Sequence, residues 1–251
     1  MTSSSMSNTD LVLITGASGG IGKVLTELLI KAGWRNIVCQ YSTRPDGIAE
    51  VLSSHGLDPR ERLFHADLTD EAQAAELHRR IRTAFGALYG LVTLAGGSSN
   101  AVSWKLSTEE FRKILDVNLM STFLTCREFI PDMREQTRGR IINISSIVAY
   151  TGAAGTSHYA AAKAAVIGFS KSLALELAPK KIPVSVVALG YFQYGLINTI
   201  PQEHQHRIKS QIPAQRFGDG AELAGLVSYL LNESGAYSGG QVYHLNGGLY
   251  T

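Results

Sequence analysis

The sequence predicts an α/β fold: one domain built on a doubly wound, mostly parallel seven-stranded sheet with helices on both faces. Three observations carry this. Short apolar runs alternate with segments of helical periodicity along the chain. No linker interrupts the alternation. A glycine cluster, Thr15-Gly-Ala-Ser-Gly-Gly-Ile-Gly22, follows the first apolar run and opens the first helical segment.

The elements follow in order. Strand 11–15 is an apolar run ending at glycines, and helix 20–32 carries Ile21, Val24, Leu25, Leu28 and Leu29 on one side. Strand 36–41 and helix 46–55 come next, then strand 62–66, closed by Asp67. Helix 71–85 leads to strand 88–95. Ser107-Thr-Glu-Glu110 has the pattern of an N-terminal cap, and the helix it opens is expected to run to about residue 134. Strand 140–145, the alanine-rich helix 157–178 and strand 183–188 follow. Residues 190–212 read as a loop with short helices, and helix 219–231 and strand 241–245 complete the domain, 10–251.

Composition narrows the function. The 251 residues are 45% hydrophobic and 18% charged, ordinary for a chain with a substantial core. A formal charge of +2 gives no reason to expect nucleic acid or an anionic membrane as partner. No apolar run reaches the length of a membrane span. Residues 1–9 are polar and serine-rich, lack the layout of a signal peptide and read as a disordered tail, so a cytoplasmic location is expected. Cys39 and Cys126 are expected to be buried free thiols. His204 and His206 form the one close histidine pair, without a carboxylate or thiol set, so no metal site is expected.

The glycine cluster stands where a dinucleotide loop must stand, between a strand and a helix. Its glycines let backbone amides approach a pyrophosphate, and the helix N-terminus adds positive potential. The second strand ends in Tyr41-Ser42-Thr43-Arg44, with no carboxylate to hold a ribose 2′-hydroxyl. Arg44 suits a 2′-phosphate, which points to NADP(H) with NAD(H) as the alternative. Asp67 suits the adenine amino group or the cap of the next helix.

Tyr159 and Lys163 are four apart, on one helix face, and Ser146 precedes the tyrosine by thirteen. An ammonium beside a phenol favours the phenolate and is expected to lower the tyrosine from its ordinary pKa of about 10. Alone, the pair is better read as a half-buried tyrosine with a snorkelling lysine.

Together, the loop, the Ser146/Tyr159/Lys163 set and the alternation resemble the short-chain dehydrogenase/reductase family over nearly the whole chain. The resemblance implies a Rossmann fold, hydride transfer and Tyr159 as proton donor. It matches Ser146, Tyr159, Lys163 and Asn118 to catalytic positions. It matches Gly16, Ser18, Gly19, Gly20, Ile21, Gly22, Tyr41, Ser42, Arg44, Asp67, Leu68, Ala95, Gly96, Gly190 and Phe192, with Tyr159 and Lys163, to cofactor contacts. Of the adjacent serines, alternation along the strand leaves one facing the cleft, and the family spacing selects Ser146.

Segments 211–218 and 238–248 resemble 3-oxoacyl-[acyl-carrier-protein] reductases in particular. This implies reduction of a 3-oxoacyl thioester-like ketone to a secondary alcohol, a substrate that acyl carrier protein can carry, and a homotetramer. Free ketones, sugars or cyclic alcohols are the alternative substrates. A non-catalytic nucleotide sensor would be expected to lose Tyr159 or Lys163. Residues 190–212 would form the substrate lid, with Tyr191, Phe192 and Tyr194 either lining a pocket or packing the lid. The chain departs from the family at Thr93-Leu94, where a sheet-bracing Asn-Asn is usual, at Leu189 before Gly190, and at Tyr194, where a threonine often meets the nicotinamide carboxamide. Where carrier-protein reductases tend to carry docking arginines, it has Thr137, with Arg138 beside it, and Lys180.

Overall fold

The computed structural model describes residues 10–45 and 47–251. Seven strands form one sheet: β1 (Val12–Ile14), β2 (Ile37–Tyr41), β3 (Leu63–His65), β4 (Gly90–Thr93), β5 (Arg140–Ser146), β6 (Val184–Leu189) and β7 (Val242–Leu245). Their order is β3-β2-β1-β4-β5-β6-β7, and every pairing is parallel, so the mostly parallel sheet expected has no antiparallel edge. The helices are α1 (Gly20–Lys31), α2 (Ile48–Ser54), α3 (Pro59–Arg62), α4 (Glu71–Phe85), α5 (Thr108–Leu115), α6 (Ser121–Gln136), α7 (Val148–Thr151), α8 (Ser157–Leu177), α9 (Gln202–Gln211) and α10 (Gly220–Leu231).

A parallel sheet needs helices on both faces, and strand alternation supplies two apolar surfaces. Val12, Ile14, Ile37, Cys39, Val92 and Ile144 pack with Leu25 and Leu29 of α1 and Leu223 and Val227 of α10. Their neighbours Leu11, Leu13, Val38, Leu91 and Ile141 turn the other way, onto Leu77 of α4, Phe129 of α6 and Leu173 of α8. Each fully buried Leu or Ile contributes about 1.5–3 kcal/mol relative to exposure. Strand order reverses between β1 and β4, which opens a crevice at the carboxyl ends of the strands.

Several elements differ in kind from expectation, the unforeseen short α7 among them. The helix expected from 107 to about 134 is divided into α5, a π turn at Asp116–Met120, and α6. The start is as expected: Ser107 and Glu110 form a reciprocal capping box. The short α3 was not foreseen; Asp58 caps it and Pro59 sits in its first turn. The helix expected over 46–55 is Ile48–Ser54. Residue 46 and the tail expected at 1–9 lie outside the described residues. Cys39 and Cys126 are free and buried, and burial pushes both thiols up to about 12. Among the described residues no helix is long and apolar enough to cross a membrane.

Candidate active site

The glycine loop joins β1 to α1 by backbone packed on backbone. Gly16 takes φ +63°, and a Cβ there would lie 2.7 Å from Ala95 Cα. The Gly16 amide donates to Gln40 Oε1 at 2.9 Å, so Gly16 shapes the loop and its N–H is already used. Gln40 is buried in β2, and its Nε2 donates to the Ala66 carbonyl at 2.7 Å. Sequence reasoning missed this clamp; a glutamine inside an apolar strand run was the signal. Gly19 caps α1 with no side-chain bond, and the first turn holds no acid. By contrast, Asp70, Ser107 and Asp219 cap α4, α5 and α10. The N–H groups of Gly20, Ile21 and Gly22 thus begin a helix with no built-in anion, which fits a pyrophosphate.

The residues expected to meet the adenosine stand at the ends of β2 and β3. Tyr41 is half-buried and meets His65 edge-on at 5.4 Å, and His65 Nε2 donates to the Ser42 carbonyl at 3.0 Å. Arg44 is exposed. Asp67 is exposed, and its Oδ1 accepts from Thr69 N and Oγ1 at 2.9 and 2.8 Å. It does not cap α4; Asp70 does. The Leu68 side chain is buried in the core.

The expected catalytic side chains converge at the carboxyl end of β5. Ser146 ends the strand, and Tyr159 and Lys163 stand on successive turns of α8. Ser146 is close enough to Tyr159 to draw the phenol's pKa down. Ser145 points the other way, buried, with its Oγ donating to the Lys163 carbonyl at 2.8 Å. Alternation therefore separates the two serines as expected.

The electrostatics differ from expectation. Burial raises Tyr159 above its ordinary value, and Ser146 is the opposing pull. The lowering expected from Lys163 is not found. Lys163 Nζ donates to the Ile144 carbonyl at 3.0 Å and lies 5.8 Å from the centre of the Tyr159 ring. Lys163 is itself buried, which lowers it to about 8.

Asn118 sits in the π turn, fully buried. Its Nδ2 donates to the carbonyls of Ile114, one turn back, and Gly97. The first bond is the local backbone competition that disturbs a helix, and the extra residue of the π turn accommodates it. Its Oδ1 has no partner among the described residues. A Cβ on Gly96 would lie 2.5 Å from that oxygen and 3.4 Å from Lys163 Nζ. An orphan acceptor and an ammonium thus flank the open edge of Gly96.

Other contacts replace the family residues this chain lacks. Thr93 Oγ1 donates to Asn143 Oδ1 at 2.7 Å, and Asn143 Nδ2 donates to Ser170 Oγ at 2.9 Å, which binds β4 to β5 and α8. Thr15 Oγ1 accepts from the amides of Leu94 and Ala95 at 3.0 and 3.1 Å. The segment after β4 is also fastened to the start of α8, by Ala101 N to the Gly155 carbonyl, Ser103 to Ser157, and Ser99 to His158.

The segment expected to form the lid is packed more than it is lined. Phe192 is buried in the core and its ring lies against Gly218. The Gly190 amide donates to the Leu245 carbonyl. Tyr194 sits beside Gly220, with Gln193 donating to its hydroxyl and to the Asp219 carboxylate. The lid tip rests on the glycine loop: Gly195 N is 2.5 Å from where a Cβ on Gly20 would be.

Fold and site together define a nucleotide-dependent oxidoreductase. The sequence model for short chain dehydrogenases matches residues 10–205, and the chain belongs to that family. An acetoacetyl-CoA reductase of Acinetobacter sp. (strain RA3849) is 37% identical over 246 residues, 98% of this chain and 99% of that protein. The 3-oxoacyl-[acyl-carrier-protein] reductase FabG of Escherichia coli (strain K12) is 35% identical over 240 residues, 96% of this chain and 97% of that protein. Nodulation protein G of Rhizobium sp. (strain N33) is 36% identical over 237 residues, 94% of this chain and 95% of that protein. The chain is a carbonyl reductase of this family, working with a nicotinamide cofactor.

Proposed function

We propose that the chain reduces a 3-oxoacyl thioester to the 3-hydroxyacyl thioester with NADP(H), Tyr159 donating the proton. The observation that carries this is that Ser146, Tyr159 and the buried Lys163 stand together at the carboxyl end of β5. Bound NADPH supplies the hydride. Burial holds Tyr159 protonated at neutral pH, the form a proton donor needs. Ser146 and Tyr159 both direct hydroxyls at the carbonyl oxygen, where negative charge develops. Lys163, lowered to about 8, is still mostly cationic at pH 7. A ribose hydroxyl or a water over Gly96 would satisfy Asn118 Oδ1 and take a second bond from Lys163 Nζ. Such a link gives Tyr159 a route to regain its proton.

Two features favour a thioester on coenzyme A over free ketones or a carrier protein. Phe192 and Tyr194 are committed to packing, which leaves Tyr191 alone of the three rings for an aromatic pocket. Arg138, beside the docking position, is held bidentately by Asp10 at 2.6 and 2.7 Å. The same reading extends to a cytoplasmic homotetramer. Exposed Phe111, Met120 and Leu175, on the segments of α5, the π turn and α8, are the apolar residues such an assembly would cover. The test is NADPH oxidation with acetoacetyl-CoA, its carrier-bound counterpart and cyclohexanone. The coenzyme A thioester should give the highest kcat/KM; higher efficiency with the ketone would overturn the substrate assignment.

A further inference from the structure

We infer that His158 is a positioning residue for proton transfer: through Ser99 it fixes the segment after β4 against α8, and so holds the Gly97 carbonyl that orients Asn118. This rests on the reading of Tyr159 as proton donor. His158 stands one residue before Tyr159 in the first turn of α8 and is wholly enclosed, 0% exposed. Consecutive helix residues point about 100° apart, so the two rings do not share a direction. The His158 Nε2 meets Ser99 Oγ at 2.9 Å. Its Nδ1 has no partner among the described residues. A leucine would fill the same space without leaving a buried nitrogen unpaired, so packing alone does not account for a histidine here.

Residues 94–102 form no helix or strand, so their course is set by bonds to their neighbours. Thr15 Oγ1 accepts from the amides of Leu94 and Ala95 at one end, and the Ala101 amide donates to the Gly155 carbonyl at the other. Between those ends, Asn118 Nδ2 donates to the Gly97 carbonyl at 2.8 Å, and His158 meets Ser99. Ser99 is two residues from Gly97, at most about 7 Å along the chain. The Ser103–Ser157 contact further on is exposed, so water competes for it. The Ser99–His158 bond is partly shielded.

Asn118 depends on Gly97 for its hold on this segment. Its other bond, to the Ile114 carbonyl, stays within its own turn. Its unpaired Oδ1 faces the open edge of Gly96, beside Gly97, where Lys163 Nζ also approaches. A shift of the Gly97 carbonyl therefore turns the Asn118 amide and moves the oxygen that the proton route to Tyr159 needs.

The test compares Ser99→Ala, His158→Leu, His158→Gln and the double variant Ser99→Ala/His158→Leu, with NADPH and acetoacetyl-CoA. Ser99 is exposed, so Ser99→Ala leaves the core intact even where His158→Leu fails to fold. Ser99→Ala and His158→Leu should each lower kcat about tenfold. KM and the NADPH affinity read by nucleotide fluorescence should stay within about threefold. The double variant should lose no more than the worse single one, because both changes break one link. His158→Gln, whose terminal amide reaches about as far as Nε2, should keep most of the turnover. The solvent deuterium isotope effect on kcat should rise in Ser99→Ala, since a slowed proton relay limits turnover, and loosened packing alone would not move it. Amide exchange at residues 96–101 should quicken in the cofactor-free variant. Wild-type kcat in Ser99→Ala, multiplied losses in the double variant or an unchanged isotope effect would each overturn the role of His158, while the Tyr159 reading stands as long as Tyr159→Phe has lost its turnover. If Tyr159→Phe keeps wild-type turnover, that reading fails and this inference fails with it.

Discussion

Lys163 Nζ is bonded to the Ile144 carbonyl at 3.0 Å, inside the protein, rather than to the phenol four residues before it. The ammonium is thereby desolvated and lowered from 10.5 to about 8. Between those values the unfolded chain holds a proton the folded chain has released, so stability rises with pH there. The burial cost is therefore full below pH 8 and gone above about 10.5. Lys163→Met should stabilise the fold by about 2–3 kcal/mol at pH 7, less what the unpaired Ile144 carbonyl costs. The gain should shrink as pH approaches 10.5. Urea unfolding at pH 7 and pH 10 measures it, and an equal gain at both would assign the effect to packing instead of charge.

Tyr159→Phe removes the hydroxyl proposed as proton donor while keeping the ring. Turnover should fall by about 10²–10⁴. NADPH affinity, read by nucleotide fluorescence, should stay within about threefold. A variant that kept wild-type turnover would mean that another group protonates the substrate.

The sheet, its helices and the Ser146, Tyr159 and Lys163 positions were legible because they rest on local regularities: period, spacing and alternation. The π turn at Asn118 was not legible. It depends on Asn118 reaching Gly97, twenty-one residues back, and no local pattern encodes that contact. The direction of the Tyr159 shift was misread for a related reason. Spacing places Lys163 on the right helix face, but burial and the Ile144 carbonyl decide where its charge points. Gln40 and the Thr93–Asn143–Ser170 chain were missed because isolated polar residues in apolar strands reveal a partner only once the strands are side by side.

Thr93 tests whether that polar chain braces the sheet. Thr93→Val keeps the shape and takes away the donor to Asn143 Oδ1, whose other neighbour is the weak donor Cys126 Sγ at 3.8 Å. An acceptor left so poorly paired should cost about 1–3 kcal/mol. Thr93→Ser, which keeps the hydroxyl, should lose less. Chemical denaturation of the two variants decides the matter: equal losses would point to methyl packing as the source.

The contact between Gly20 and Gly195 predicts how the lid answers to the glycine loop. A methyl on Gly20 would lie 2.5 Å from Gly195 N and 2.7 Å from its Cα, so one segment must move. The lid should move first, because α1 is fixed to the core through Leu25 and Leu29, whereas α9 in the lid has no buried residue. Gly20→Ala should therefore lift this segment, loosen α9 so that trypsin cuts after its exposed Arg207 and Lys209, and weaken NADPH binding about tenfold, with a stability loss of about 1–3 kcal/mol. Limited proteolysis followed by mass spectrometry identifies the cut sites. Unchanged cleavage with a lowered melting temperature would place the strain in α1 and separate the lid from the nucleotide loop.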